Sequence, residues 1–393
     1  MVKRCAPFLT NPRMALMNRR KFLITGTAAA LAAGGYGWYS FNKQAPIGFE
    51  IDAATVQLGR EFLQQNISVD IHAHPGRSFV EGGQNLTTKL RLYATLGSFE
   101  ERTIAKMLAG NLTMSSFSTV ADFQLLDLVG NGLTSIREFD KGEAWSSYQT
   151  QLATLKALLK NDLITPILSV EDIIKAKQSN KVGALFTTEG ADFLEGSLER
   201  LDEVYNDGFR SLTLVHYHIN EIGDIQTEAP RYNTLTPFGV SLVKAMNRKG
   251  LLIDLAHAAK GTSLKVLEVT EKPVMVSHSA VRHSGFDHPR FIDLDEAKMV
   301  AETGGIIGAW PAGIGLTTFS DYLDQIFRLI DDVGIDHVAL GTDMDANYKP
   351  VFDNYELTPL LVGSLLERGL SKIDAAKIIG GNFMRVFKAV TTV

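Results

Sequence analysis

Short apolar runs rich in β-branched residues alternate along the chain with longer stretches whose apolar positions recur at the helical period. This alternation predicts repeated strand-helix units and a parallel sheet. Eight strands complete a closed barrel, so the predicted fold class is α/β, a (β/α)8 TIM barrel. The predicted strands lie at residues 67–72, 112–120, 182–188, 211–217, 251–256, 273–277, 305–309 and 337–342.

The stretches between these runs are long enough to cross back over the sheet as helices. Glycines at 208, 250 and 334 precede the next strand and fit helix C-caps. Residues 73–110 lack a clear period, and we expect a loop and a helix there, over the mouth of the barrel. Helical patterns cover, among others, residues 144–160, 198–206, 237–248, 320–332 and 372–388.

The composition favours one large domain. Of the 393 residues 45% are hydrophobic, enough for a large core, and single α/β barrels commonly exceed the length at which other folds divide. We therefore assign residues 46–393 to one barrel. The net charge of −5, without a long basic run beyond the N-terminus, argues against nucleic acid as a partner. The single cysteine, Cys5, leaves His, Asp and Glu as the available metal ligands.

The first 45 residues have the pattern of an export signal. Residues 18–23 read NRRKFL and precede a weakly apolar stretch rich in Ala and Gly, which resembles a bacterial twin-arginine signal. Residues 22–42 carry no charge and would span a bilayer as a helix of about 30 Å, so cleavage and anchoring both stay open. A buried amphipathic helix is the alternative. We expect the twin-arginine machinery as a partner, and a periplasmic or membrane-anchored protein. Met17 offers a second start, and the oligomeric state, a homodimer included, is open.

The candidate chemistry lies at the ends of predicted strands. The chain has nine histidines, and most of them follow such a run. In an α/β barrel the carboxyl ends of the strands meet at one rim, where active sites of this fold lie. His72 and His74, two residues apart on one strand, share a face and can ligate one ion together. The other histidines at strand ends are His216, His218, His257 and His278.

Two carboxylates complete this set. Glu189 follows residues 184–188 and can bridge two cations, and Asp343 follows residues 338–342. A pair of ions can share and acidify one water, and nitrogen and oxygen ligands suit Zn²⁺, with Mn²⁺, Co²⁺ and Fe²⁺ not excluded. A lone histidine at a strand end is more often a hydrogen-bonded core or surface residue than a metal ligand. The metal prediction therefore depends on the histidines and carboxylates of several strand ends meeting at one rim. Residues interpreted as neighbours or surface groups are His218, Asp254, His283, His288 and His337.

Several segments resemble the membrane (renal) dipeptidase family of zinc peptidases. Residues 235–258 read LTPFGVSLVKAMNRKGLLIDLAHA and are similar to the family's SPFG…NRLG…IDLAH stretch. Further similar segments are PVMVSHSA at 273–280, TEG at 188–190, LTLVH at 212–216 and GTDMD at 341–345. These segments follow the family's order from about residue 67 to the C-terminal NFMRVF, so the resemblance covers nearly all of the mature chain and implies the same barrel.

The resemblance implies a role for each site residue. Glu189 would bridge two zinc ions, His72 and His74 would complete one coordination sphere, and His257 and His278 the other. His216 would polarise the scissile carbonyl of a dipeptide, Asp343 would handle the proton, and Arg290, in a HPRF segment, would bind the substrate carboxylate. The implied reaction is hydrolysis of a dipeptide or related amide by a metal-bridging hydroxide of pKa near ~7.

Three departures from the family bear on the substrate. His74 stands where the family usually has aspartate, which raises the net charge of the site by one. Phe291 replaces an asparagine, and Tyr217-His218 replaces a polar pair. One alternative is another binuclear amidohydrolase acting on a lactone, cyclic amide or phosphoester, although many of those enzymes use a carboxylated lysine where this chain has Glu189. The other is an exported binding protein, which a complete set of metal ligands disfavours.

Overall fold

The computed structural model describes residues 45–392, apart from 82, 131 and 180. The predicted signal therefore lies almost entirely outside the described residues, and no helix among those that are described is long and apolar enough to cross a membrane. The strands are β1 (Val69–Asp70), β2 (Met114–Val120), β3 (Leu126–Val129), β4 (Gly132–Ser135), β5 (Ile164–Pro166), β6 (Val182–Glu189), β7 (Phe209–Thr213), β8 (Leu252–Asp254), β9 (Met275–Ser279), β10 (Ile306–Ala309) and β11 (Val338–Leu340).

Helices connect and flank these strands. The α-helices are α1 (Ala53–Gln65), α2 (Thr88–Thr95), α3 (Glu100–Ala109), α4 (Glu143–Lys160), α5 (Val170–Gln178), α6 (Arg200–Asn206), α7 (Pro237–Lys249), α8 (Lys260–Val269), α9 (Leu294–Glu302), α10 (Phe319–Val333), α11 (Thr358–Glu367), α12 (Lys372–Ala376) and α13 (Asn382–Thr391). Short 3-10 turns cover Pro75–Val80, Phe123–Leu125, Asp192–Leu194, Ile335–His337 and Tyr355–Leu357, and a π-helical turn covers Lys377–Gly381.

Eight parallel strands of the described chain form a barrel in the order β1-β2-β6-β7-β8-β9-β10-β11. They are the eight strands that the apolar runs predict, so the fold class is confirmed. β1 and β11, the first and last of these strands, meet along a seam of backbone hydrogen bonds that lie just beyond the strand residues. There Ile71 N donates to Leu340 O at 2.9 Å, and Asp343 N donates to His72 O at 2.8 Å.

Several local predictions were incomplete. β5, which pairs with β6, and the antiparallel β3-β4 hairpin were missed, because both are too short for a periodic pattern. The predicted helix at 372–388 is divided by the π-helical turn, where a Cβ on Gly380 would lie 2.6 Å from Ile67 O. β7 ends at Thr213, so His216 lies on the loop that follows it rather than on the strand.

The end of the barrel opposite the site is closed by apolar packing. Apolar residues of α13 recur at spacings of three and four, at Phe383, Val386, Phe387 and Val390. They form one cluster with the first residues of several strands, Leu252 and Ile306 among them. Apolar packing thus occupies the amino-terminal ends of the strands, and polar side chains lie at their carboxyl ends.

Two buried aspartates fix those carboxyl ends. Asp70 Oδ1 accepts the backbone N–H groups of His72 at 3.2 Å and Thr342 at 3.0 Å, which joins β1 to the segment after β11. Asp254 Oδ1 likewise accepts those of Ala256 at 3.0 Å and Ser277 at 2.9 Å. Asp254 therefore supports the barrel interior, one of the two roles the sequence left open for it.

Residues 73–110 lie against the same rim, as predicted. The 3-10 turn Pro75–Val80 is followed by α2 and α3. Asp345, just beyond β11, accepts hydrogen bonds through Oδ2 from Gly76 N at 2.7 Å and from the Thr103 hydroxyl at 2.8 Å. This carboxylate therefore anchors both the turn and α3 beside the strand ends.

Candidate metal centre

The five predicted metal ligands meet at the carboxyl-terminal rim. Each side chain is almost fully buried. His72 and His74 follow β1, Glu189 is the last residue of β6, His257 follows β8, and His278 lies in β9. The barrel therefore brings together residues separated by more than two hundred positions, as the strand-end argument predicts.

His72 and His74 form one half of the cluster. Their Nε2 atoms lie 3.2 Å apart. His72 Nε2 lies 3.2 Å from Glu189 Oε1, and His74 Nε2 lies 3.2 Å from Glu189 Oε2. The predicted shared face of the His-x-His pair is thus observed, with both rings directed at one carboxylate.

His257 and His278 form the other half. Their Nε2 atoms lie 3.1 Å apart, at 3.0 Å and 3.4 Å from Glu189 Oε1. Burial, and then the positive charge of Arg290 beside His257 and of His72 beside His278, hold the pKa of both imidazoles well below its usual value. Both rings are therefore neutral near pH 7, the form in which imidazole ligates a metal.

Glu189 lies between the two halves as an anion. Its burial favours the neutral acid, but the neighbouring imidazoles of His216, His72 and His257 hold its pKa well below the usual value. Ring nitrogens contact both oxygens of this carboxylate, those of His72, His257 and His278 at Oε1 and those of His74 and His216 at Oε2, and a carboxylate with both oxygens so engaged has the chemistry of a bridging ligand.

The orientation of two imidazoles also fits metal binding. His74 Nδ1 lies 3.1 Å from the carbonyl oxygen of Ser118, and His278 Nδ1 lies 2.9 Å from the hydroxyl of Ser277. A donor hydrogen on Nδ1 leaves the lone pair on Nε2, which faces the cluster. Within the described residues, groups suited to hold an ion are His72, His74 and Glu189, and also Glu189, His216 and His257.

Arg290 shows that the second half accepts a cation. Its guanidinium Nη2 lies 2.9 Å from His257 Nε2 and 3.0 Å from His278 Nε2, and the residue is only 2% exposed. Its Nη1 donates to Gln226 Oε1 at 2.6 Å. A positive nitrogen thus stands at the point on which the two rings converge, where a metal cation would stand.

Asp343 lies beside the first half. Its Oδ1 is 3.5 Å from His74 Nε2 and 4.0 Å from His72 Nε2, and its Oδ2 accepts the indole N–H of Trp310 at 3.3 Å. Burial raises the pKa of this carboxyl to about 6. Asp343 has φ +54° and His257 has φ +67°, so both side chains project from left-handed backbone, an arrangement that costs energy and is found at functional sites.

His216 reaches the cluster from the loop after β7. Its Nε2 lies 3.2 Å from Glu189 Oε2, and its Nδ1 lies 2.6 Å from Asp122 Oδ1. Burial disfavours the imidazolium, but the carboxylates of Asp122 and Glu189 outweigh it, so the pKa of His216 is raised. The charged form carries hydrogens on both ring nitrogens.

Asp122 and Trp310 were missed in the sequence. Asp122 is fully buried two residues after β2, and its Oδ2 also accepts Tyr217 N at 2.9 Å. It obeys the strand-end rule that identified the other site residues, and a search for carboxylates after residue 120 would have found it. Trp310, one residue after β10, has the appearance of an ordinary core aromatic.

The histidines interpreted as neighbours lie outside the cluster of ligands. His218 Nδ1 is 2.7 Å from Asp192 Oδ1 and its Nε2 is 2.9 Å from Glu138 Oε2. Burial lowers the pKa of His218, but these two carboxylates outweigh it and raise the pKa to about 9. His283 pairs with Asp332, His288 Nδ1 accepts from Arg290 N, and His337 contacts Gly305 O.

A (β/α)8 barrel with a cluster of imidazoles and a buried carboxylate at its carboxyl-terminal rim defines a metal-binding protein of the TIM-barrel enzyme class. Residues 60–393 match the family model described as membrane dipeptidase (Peptidase family M19), and the chain belongs to this family. The resemblance seen in the sequence is thus confirmed.

Comparisons with individual proteins agree with this assignment. The chain is 30% identical over 223 residues to dipeptidase verJ of Clonostachys rogersoniana, a match that covers 55% of this chain and 57% of that protein. It thus spans little more than half the length of such curated relatives.

Two crystal structures share the fold. An amidohydrolase from Pseudomonas aeruginosa has a TM-score of 0.68 at 22% identity, over 85% of this chain and 99% of that one. A metallo peptidase from Rhodobacter sphaeroides, liganded with a phosphinate mimic of the dipeptide L-Ala-D-Ala, has a TM-score of 0.68 at 19% identity, over 83% of this chain and 99% of that one.

Proposed function

We propose that this protein is a zinc-dependent dipeptidase that hydrolyses the peptide bond of dipeptides. The observation that carries the proposal is Glu189, whose carboxylate is contacted at Oε1 by His72, His257 and His278 and at Oε2 by His74. Family membership and the dipeptide mimic bound to the Rhodobacter sphaeroides neighbour support a dipeptide as substrate.

His72, His74 and Glu189 would hold one ion, and His257, His278 and Glu189 the second. Two Zn²⁺ ions, with Mn²⁺, Co²⁺ or Fe²⁺ as alternatives, would supply polarisation of the scissile carbonyl and a water acidified toward pKa ~7. An ion held there would displace the Arg290 nitrogen that lies between His257 and His278, and the guanidinium would become available to the substrate.

His216 would stabilise the negative charge that develops on the carbonyl oxygen. As an imidazolium it donates through Nδ1 to Asp122 and presents its Nε2 hydrogen to the centre of the site. A preorganised donor of this kind stabilises the transition state more than the ground state. Asp122 acts on the reaction through His216 and is a positioning residue.

Asp343 would carry the proton. Trp310 holds its Oδ2, so Oδ1 remains directed at His72 and His74. A carboxyl with a pKa of about 6 can accept a proton from the attacking water and release it to the leaving amine near neutral pH. Arg290 would bind the terminal carboxylate of the substrate through two parallel hydrogen bonds.

Metal analysis combined with a substrate screen tests this function. We expect two metals per purified chain and hydrolysis of simple dipeptides, tested with L- and D-residues at the C-terminal position. A metal-loaded protein that cleaves none of them would overturn the proposal. Hydrolysis of lactones, cyclic amides or phosphoesters alone would favour the alternative, for which the His-x-His pair in place of the family's His-x-Asp is the supporting observation.

Export by the twin-arginine route is part of the proposal. Its support is the NRRKFL segment at residues 18–23 and the uncharged stretch that follows. We expect the enzyme in the periplasm or on the outer face of the cytoplasmic membrane. Replacing Arg19 and Arg20 by lysine should retain the protein in the cytoplasmic fraction, and unchanged export of this variant would contradict the route.

A further inference from the structure

A cavity of about 340 Å³ is separated from the metal centre by Gln226, a residue of its wall that donates its backbone N–H to His257 O at 2.8 Å. Its walls come from the loop around Gln226, the first turn of α8 and the segment before α9, and Phe291 forms part of them. Its size lies within the range of roughly 300 to 1,000 Å³ that is typical of small-molecule sites. Phe291 is one of the family departures noted in the sequence, and it is 3% exposed.

Gln226 and Arg290 connect this cavity to the site. Gln226 lines the cavity, and its Oε1 accepts Nη1 of Arg290 at 2.6 Å. The other terminal nitrogen of the same guanidinium lies 2.9 Å from His257 Nε2. A single side chain thus lies between the metal ligands and the cavity wall. Where an ion takes the place of Nη2, the contact of Nη1 with Gln226 would keep the guanidinium at this wall, so a substrate carboxylate held by Arg290 would place its adjacent side chain toward the cavity.

The cavity walls carry more acidic than basic side chains. Four carboxylates line it and only two cations do, Lys260 and Arg282. Both cations contact Asp293, and each also contacts a carboxylate outside the lining, Asp295 or Asp287. The lining carboxylates are Asp224, Glu228, Asp293 and Glu296.

Glu296 is the least satisfied of these carboxylates. Asp224 accepts backbone N–H groups from residues 231–233. Glu296 is only 2% exposed, its Oε1 has no hydrogen-bond partner among the described residues, and burial raises its pKa to about 7. Ser263 and the charge of Lys260 offset this burial only in part, and among the described residues Glu296 forms no ion pair. A buried carboxyl of this kind, in the wall of an open cavity, is suited to receive a positive group from a ligand.

We propose that this cavity is the subsite for the side chain of the residue whose carboxylate Arg290 holds, and that it selects a basic side chain through Glu296. The inference rests on the proposed dipeptidase function and names a substrate class for it. Phe291 offers an apolar surface to the methylene groups of a lysine side chain, whose ammonium group pairs with the carboxylate.

The test compares kcat/KM for Ala-Lys with that for Ala-norleucine, an uncharged analogue, with either stereoisomer at the C-terminal position. We expect a preference of about tenfold to a hundredfold for lysine, the range for a hydrogen bond to a buried charge. Glu296→Gln should remove most of this preference. The control Glu302→Gln, at the exposed end of the same helix, should keep it. Product inhibition by free lysine and by norleucine should follow the same order.

Equal rates for the two dipeptides in the natural protein, or an unchanged ratio in a folded Glu296→Gln variant, would overturn the subsite while leaving the dipeptidase function in place. Thermal melting curves of both variants establish that they are folded. Failure to cleave Ala-Ala as well would overturn the proposed function itself, and the subsite with it.

Discussion

The Asp122 carboxylate and the His216 imidazole form a buried pair, with 2.6 Å between Oδ1 and Nδ1. The two residues are 94 positions apart in the sequence; Asp122 follows β2 and His216 follows β7, and β6 lies between these two strands in the barrel. Asp122 also accepts the backbone N–H of Tyr217, so it holds both the His216 ring and the loop that carries it.

Asp122→Asn is therefore expected to lower kcat by about 10-fold to 100-fold, the usual cost of losing such a supporting partner. KM should change less, because Asp122 is fully buried and acts through His216. In a His216→Ala background the same substitution should have little further effect, since the group it positions is absent. Additive losses in the double variant would show that Asp122 acts independently of His216.

Substitution of His216 itself tests whether this residue acts in catalysis or coordinates a metal. His216→Ala should keep both metals and lower kcat by about 10² to 10³, the cost of removing one oxyanion donor. Metal content and kcat are to be measured on the same preparation. Because His216 Nε2 is 3.2 Å from Glu189 Oε2, loss of one metal would instead identify His216 as a ligand and contradict the proposed division of roles.

Glu189→Gln should lose metal and activity together. The amide offers one neutral oxygen where five histidine nitrogens surround a shared anion. Elemental analysis of the purified variant is the measurement. Two metals per chain in this variant would rule out Glu189 as the bridge.

The substitution His74→Asp tests how close the site is to the family pattern. It restores the carboxylate usual at this position, and we expect a protein that binds two metals and cleaves dipeptides. The variant loses the contact between His74 Nδ1 and Ser118 O, so its melting temperature should decrease moderately. A folded but inactive variant would mean that the His-x-His pair serves other chemistry.

Stability should fall with rising pH because of Glu296. Its pKa is about 7 in the folded protein and near 4.5 in the unfolded chain, so the folded state holds the proton more tightly and loses stability between these two values. The full effect is about 3 kcal/mol. Glu296→Gln should be more stable than the natural protein at pH 8 and equally stable at pH 4. Chemical denaturation at both pH values measures this, and an identical difference at the two would exclude Glu296 as the cause.

Much of the site follows from a single rule applied to the sequence. The apolar runs locate the strands, and polar residues just after them, such as His72, Glu189 and His257, meet at one rim. The rule applies equally to Asp122, two residues after β2, although the sequence prediction did not include it. The contacts of Trp310 with Asp343 and of Arg290 with His257 depend on side-chain packing across the barrel, which no local pattern encodes.

The residues at which strands and helices end were harder to predict from the sequence than the presence of these strands and helices. β7 ends at Thr213 although the predicted strand continues to residue 217; Leu214 and Val215 are buried but follow the strand. The break in the predicted helix at 372–388 arises from the close approach of Gly380 to Ile67, a tertiary contact.

The seam between β1 and β11 makes completion of the site a late event in folding. The contacts that join His72 to Asp343 and His74 to Met344 link the first and last strands of the described barrel, so they have very high contact order. A nascent chain cannot form them until the last strand has left the ribosome. We expect the ion held by His72 and His74 to bind with high affinity only after the barrel has closed. Metal binding would then follow folding and would not nucleate it. Stopped-flow refolding with and without metal distinguishes metal binding after folding from metal binding before it. Acceleration of the main folding phase by metal would contradict binding after folding.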